Sequence, residues 1–174
     1  MLIILSGLPA VGKTSIAREL VWTIVATHVR VDSIEQALRN GGREVRDEGY
    51  RVAYAIAEDN LRLGQIVVAD SVNPWPRTRN DWRSIADRAR VPALEVEIVC
   101  SDVDEHKRRV EARQPDLTGH TLPTWQQVLA RDYHAWDRDR LVIDTARLTV
   151  EQAARAVLAQ VPAGPNFRGR REDI

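Results

Sequence analysis

The sequence predicts an α/β domain built around a mainly parallel sheet. Two observations carry this expectation. Short apolar runs of strand length alternate with longer runs of helical period along most of the chain. The strongest polar candidates fall at the carboxyl ends of the apolar runs: a glycine-bearing loop after the first, Asp32 after the second, Asp70 after the third and Asp102 after the fourth. Open parallel sheets bind their ligands at that edge. A chain of 174 residues is one domain's worth and long enough to bury a core.

The elements follow in order. Residues 2–5 form the first strand and residues 13–26 the first helix. Val29-Arg30-Val31 is a short strand ending at Asp32. Ser33 then reads as the cap of a small helix over 34–39, stopped by Asn40-Gly41-Gly42. A longer helix covers 50–63 and ends at Gly64. Residues 66–69 are a buried strand ending at Asp70. Pro74 and Pro76 make 71–76 a loop. A helix over 77–90 and a strand over 94–99 come next. Asp102 opens a helix reaching Arg113. Residues 114–122 hold Pro115, Gly119 and many polar side chains, and read as a mobile loop. Pro123 suits the start of a helix running to Trp136. The last strand is 141–143, and 149–161 is a closing helix. The domain therefore spans 1–161, and 162–174, with proline, glycine and mixed charge, reads as a flexible tail.

Composition narrows the class of function. Hydrophobic content of 44% with 29% charged residues describes a soluble globular protein. A formal net charge of zero argues against a broad field that gathers nucleic acid or anionic membrane. The single cysteine, Cys100, forms no internal disulfide. The apolar run before Ser6-Gly7 is too short for a signal-peptide core or a membrane span, so a cytoplasmic protein is expected.

The first loop carries the sharpest chemistry. Gly7-Leu8-Pro9-Ala10-Val11-Gly12-Lys13-Thr14 spells G-x-x-x-x-G-K-T, and it lies between an apolar strand and a helical run. The glycines let the backbone turn its N–H groups inward at phosphate oxygens. The helix that follows, opening through Ser15, adds its positive end to the same anion site. Lys13 reaches the β- and γ-phosphates, and the Thr14 hydroxyl is a ligand for Mg²⁺. The chain holds only two lysines, Lys13 and Lys107.

The remaining candidates are weighed against plainer roles. Asp32 is placed to take a proton from an acceptor hydroxyl or to hold it in line with a γ-phosphate; the plainer role is capping the helix that follows. Asp70 suits the orientation of Mg²⁺ through water; its plainer role is bonding the adjacent loop. Asn73 and Arg77, in and just after that loop, are candidates for acceptor contact. Trp75 and Trp82 are candidates for stacking on a ring, although tryptophans more often pack. Arg109 and Arg113 share a helix face. At the junction with the mobile loop they suit neutralising the transferring phosphate or stacking on the base; their plainer role is a surface charge run with Glu105 and Glu111. His106, His120 and His134 have no metal-ligand spacing, and the segment from His120 to Trp125 is distinctive without an assigned chemistry.

With these residues in hand, the chain resembles the P-loop kinases, and most closely the small bacterial AAA_33-type kinases. It is also similar to the kinase domain of phage polynucleotide kinase. There an aspartate after the second strand acts as base, an acidic-Thr-Asn stretch follows the third strand, and an arginine pair enters the lid. The matching residues here are Asp32, Asp70-Ser71-Val72-Asn73, and Arg109 with Arg113. The resemblance covers about residues 1–160. It implies a P-loop NTPase fold: a five-stranded parallel sheet in order 2-3-1-4-5, helices on both faces and a lid over about 114–122. One departure stands out: the polynucleotide kinase domain has an arginine three residues after its base, where this chain has Glu35.

The expected activity is ATP- and Mg²⁺-dependent transfer of the γ-phosphate to a hydroxyl of a small-molecule acceptor. The expected catalytic set is Lys13, Asp32 and Arg113. The loop 7–14 with Ser15 and Arg109 holds the nucleotide, Thr14 and Asp70 serve the metal, and Asp32, Asn73 and Arg77 meet the acceptor. A 5′-hydroxyl polynucleotide kinase is the first alternative; neutral charge and Glu35 stand against it, and the Arg77-Thr78-Arg79 stretch stands for it. A regulatory ATPase without an acceptor is the second.

Overall fold

The computed structural model describes residues 1–162. Among them, the expected tail is represented only by its first residue, and the rest lies outside the described residues. The five strands are β1 (Leu2–Ser6), β2 (Ala26–Arg30), β3 (Ile66–Asp70), β4 (Ala93–Val99) and β5 (Leu141–Asp144). They pair in parallel in the order β2-β3-β1-β4-β5, with Leu5 opposite both Asp70 and Val96. This is the order that the resemblance implies. The central strands read as continuous apolar runs because both sheet faces are covered.

Alternate residues of β1 feed two cores. Ile3 and Leu5, with Val68, Val96 and Ile98, pack against α1 (Lys13–Thr23) and α7 (Val150–Leu158) through Ile16, Leu20, Ala153 and Val157. Leu2 and Ile4, with Val67 and Ala69, pack against α3 (Glu48–Arg62) and α4 (Pro76–Ala89) through Ala53, Ala57, Trp82 and Ile85. Trp82 is fully buried and meets Tyr54 edge to face, with ring centroids 4.7 Å apart. It is a core residue and not a stacking platform.

The sequence reading is corrected in three places. The first helix ends at Thr23, and Ala26 already belongs to β2. β2 runs straight into α2 (Val31–Asn40), with Arg30 as N-cap, so Asp32 and Ser33 lie in the first helical turn and Ser33 caps nothing. The helix expected over 123–136 is only α6 (Trp125–Leu129). Thr124 and Gln127 form a full capping box at its start, but residues 130–140 leave the helix.

The physical reason is a tertiary claim on that segment. Arg79, on α4, is fully buried. Its guanidinium donates to the carbonyls of Asn73 (3.0 Å), Pro74 (3.3 Å), His134 (2.7 Å) and Ala135 (3.1 Å). It also lies 4.2 Å from the Trp136 ring centroid. Arg138 and Arg140 meanwhile pair with the buried Glu95 and Glu97 of β4. The bonds from the guanidinium to the His134 and Ala135 carbonyls, the His134 N–H bond to the Pro74 carbonyl and the Trp136 stack together hold the segment in this irregular course. Arg79→Ala is therefore expected to destabilise the fold by about 3–5 kcal/mol, because three carbonyls lose their donor, a fourth loses one of two, and the stack on Trp136 is emptied. Denaturant unfolding measures this. Arg79→Lys should recover only a minor part, since one ammonium cannot span two segments.

Candidate active site

The loop between β1 and α1 adopts the required backbone. Gly7, Ala10 and Gly12 have φ of 144°, 64° and 102°. At Gly7 a Cβ would run into the Ile98 carbonyl, so only glycine fits. The loop's foot is held by Thr145, just after β5, whose hydroxyl lies 2.9 Å from the Val11 carbonyl and 3.1 Å from that of Val99. Its side is held by His106, on α5 (Val103–Ala112), whose Nε2 donates to the Pro9 carbonyl at 2.8 Å and whose ring meets Trp125 edge-on.

Lys13 is 8% exposed, and its Nζ donates to the Leu8 carbonyl at 2.8 Å. Burial pulls its pKa down to about 8, against the opposing pull of Asp70 and Asp32. Asp70 is 3% exposed. Burial works to raise its pKa, but the His28 imidazole at 3.3 Å, the Lys13 ammonium and the Thr14 hydroxyl outweigh burial and hold it below the usual carboxylate value. A lysine, a hydroxyl and an ionised carboxylate thus meet at the mouth of α1. That donor set fits a nucleotide phosphate with Mg²⁺.

Lys13 and Thr14 line a cavity of about 1230 Å³, and the buried Asp70 reaches it only through its bond to Thr14. The cavity exceeds the usual volume of a single ligand pocket, about 300–1,000 Å³, and leaves room for two substrates side by side. Gly12, Lys13, Thr14, Ser15, Arg109 and Thr145 line it at the phosphate loop, and Asp32, Glu35, Gln36 and Arg39 line it along α2. The Asp32 side chain is 40% exposed and sits in the first turn of α2, where the helix end favours negative charge. Glu35, one turn on, pairs with Arg39 at 2.9 Å, and burial raises its pKa.

Of the arginine pair, Arg109 spans α5 and the β5 end, donating to Glu105 (2.7 Å), the Thr145 hydroxyl (2.8 Å) and the Thr145 carbonyl (2.9 Å). Arg113 ends α5 and also lines the cavity, 3.6 Å from Asp116. The segment 114–122 holds no helix or strand. Two contacts tie it down: Asp116 is held by arginines, and the Thr118 carbonyl accepts from Asn40 of α2 at 3.3 Å.

Two expected acceptor residues are not brought to the cavity. Asn73 is fully buried with φ 54°; its amide nitrogen donates to the Ser6 hydroxyl at 3.1 Å, and it ties the β3 loop to β1. Arg77 is 87% exposed and faces Asp81, because it lies on the outer side of α4. Asp102 caps α5 by accepting from the Glu105 N–H. Trp75 does line the cavity, with its indole bonded to Asp132.

Sequence reasoning missed Glu35 as a cavity wall, although its i+3 spacing from Asp32 carried that signal. It also missed Thr145, which obeys the same strand-end rule as Asp32 and Asp70. For Asp116 and Arg131, both at the cavity, no local signal existed. Among the described residues, no helix is long and apolar enough to cross a membrane, and no three acidic, histidine or cysteine side chains gather as metal ligands.

Known proteins are similar to this chain in sequence or in fold. The family model AAA_33, an AAA domain, matches residues 2–131. A protein of Aeropyrum pernix named probable adenylyl-sulfate kinase is 27% identical over 177 residues, covering 91% of each chain. The Mycobacterium tuberculosis APS kinase CysC, solved with AMPPNP and APS, superposes with a TM-score of 0.70 at 16% identity, covering 91% of this chain and 95% of that one. Chaetomium thermophilum Kti12, solved with ADP-AlF3, gives 0.68 at 21% identity, covering 94% and 100%.

Proposed function

Since this chain belongs to the AAA_33 family of P-loop kinases, we propose that it transfers the γ-phosphate of ATP to a hydroxyl of a small-molecule acceptor. The observation that carries the reading is the convergence of Lys13, Thr14 and Asp32 on one cavity with room for two substrates, with the buried Asp70 bonded to Thr14 beside it. The Aeropyrum pernix relative, similar over nearly its full length, bears the name of a kinase for a small acceptor.

Each residue has a part. The N–H groups of the loop and the Lys13 ammonium hold the nucleotide phosphates. Thr14 and Asp70 are the pair that would hold Mg²⁺, which supplies charge neutralisation across the β- and γ-phosphates. Asp32 accepts the hydroxyl proton of the acceptor and orients its oxygen for in-line attack. Arg113 neutralises charge on the phosphate in transfer, and the segment 114–122 excludes water that would otherwise compete with the acceptor. Arg109 acts on the nucleotide side by holding α5 against Thr145.

Incubation with Mg²⁺ and ATP against polyols, sugar acids, nucleosides and 5′-hydroxyl oligonucleotides tests the proposal. The expected result is ADP formed in step with one phosphorylated small molecule. ADP formed at the same rate with or without every acceptor would replace the reading with a regulatory ATPase. A phosphorylated oligonucleotide alone would replace it with a polynucleotide kinase.

A further inference from the structure

We propose that Arg18, Arg30 and Arg113 form a subsite for a tetrahedral dianion, a phosphate or sulfate group, and that the Asp116 carboxylate fills this subsite until the anion displaces it. The proposal rests on the kinase reading only in taking the principal cavity as the place from which the anion arrives.

Asp116 is crowded by positive charge. Its Oδ2 accepts from Arg18 at 2.8 Å and from Arg30 at 2.7 Å. Its Oδ1 accepts from Arg30 at 3.0 Å, with Arg113 3.6 Å away. The Arg30 guanidinium holds the Asp116 carboxyl far below the usual carboxylate range. One monoanion thus gathers three guanidinium groups that repel one another. Among the described residues, the only other carboxylate paired with any of the three is Asp32, 4.0 Å from Arg30. A dianion matches this charge better than a carboxylate does, and a tetrahedral group offers oxygens to more than two donors.

The site is also built into the fold. Arg30 is 7% exposed, and its Nε is buried with no hydrogen-bond partner among the described residues. A buried guanidinium N–H without an acceptor is unfavourable and marks unused binding capacity. Arg18, Arg113 and Asp116 line the principal cavity, and a side cavity of about 330 Å³ bounded by Arg18, Arg30, Ser33 and Leu117 adjoins the cluster. Displaced by the anion, Asp116 would take the segment 114–122 with it and free Arg113 to turn toward the phosphate in transfer. The lid would then answer to the anion as well as to the nucleotide.

Calorimetric titration of inorganic sulfate into the full chain, with MgADP saturating the P-loop, tests this. Asp116→Asn keeps the shape and removes the competing charge, and it should bind sulfate at least about tenfold more tightly than the unaltered protein. Adding Arg18→Gln, at a half-exposed position that the fold tolerates, should reverse that gain. Equal sulfate affinity in the unaltered and Asp116→Asn proteins would overturn the proposal, and so would a gain that survives Arg18→Gln. Ribose 5-phosphate titrated in parallel assigns the source: tighter binding than sulfate points to a group carried by an organic acceptor, and no tighter binding to a free ion. Both keep the subsite. Failure of the kinase reading would show as missing phosphorylated product and leave the sulfate result intact.

Discussion

Asp32→Asn is expected to lower turnover about 10²–10⁴-fold while changing ATP affinity far less, because the amide keeps the shape and loses the proton acceptor. The position explains the size of the effect. Asp32 stands in the first turn of α2, and its side chain reaches the cavity near Lys13. Neither the loop nor the cores depend on it. Steady-state kinetics with both substrates varied separates the two parameters. Normal turnover at saturating ATP with weakened ATP affinity would move Asp32 to the nucleotide site. Normal kinetics throughout would shift the search for the base to Glu35, one turn further along the same cavity wall, where Glu35→Gln provides the comparison.

Lys13→Met is expected to reduce phosphoryl transfer by at least about 10²–10³-fold and to leave the fold as stable as before or more so. The ammonium is buried and its pKa is pulled down to about 8, so the folded state holds its charge less willingly than the unfolded chain does. Between about pH 8 and the ordinary lysine value, the unfolded chain binds more protons than the folded one, and stability rises with pH across that window. The destabilisation is fully present below about pH 8. Methionine removes it, along with a hydrogen bond to the Leu8 carbonyl. Thermal melting from pH 7 to pH 10 should show the melting temperature of the unaltered protein rising toward that of Lys13→Met. A melting temperature for Lys13→Met well below that of the unaltered protein at pH 7 would show that the loop depends on Lys13 for its shape.

The sheet and the phosphate-loop side of the cavity were legible because each was encoded locally. G-x-x-x-x-G-K-T sets a backbone, and apolar runs ending in Asp32 and Asp70 mark the binding edge. The surroundings of the expected acceptor residues were less legible because distant contacts decide them. Asn73 and Arg77 differ by four positions, yet one is sealed under the β3 loop and the other faces outward. The amphipathic stretch to Trp136 has every mark of a helix start in Thr124 and Gln127, and a buried arginine 55 residues away in sequence claims its carbonyls instead. Asp116 sits 86 positions from Arg30, its strongest partner, and no spacing rule joins them.

Thr145 has a consequence of its own. One hydroxyl is shared among the floor of the phosphate loop, the end of β4 and the arginine that grips α5. It joins two parts of the candidate site: the loop proposed to bed the nucleotide, and the helix that leads into the segment 114–122. Thermodynamic linkage runs in both directions through such a joint. If seating a nucleotide turns α5, then a ligand that favours one position of α5 changes the affinity for the nucleotide, and the nucleotide changes that ligand's affinity by the same factor. Two substrates that never touch would each sense whether the other had arrived.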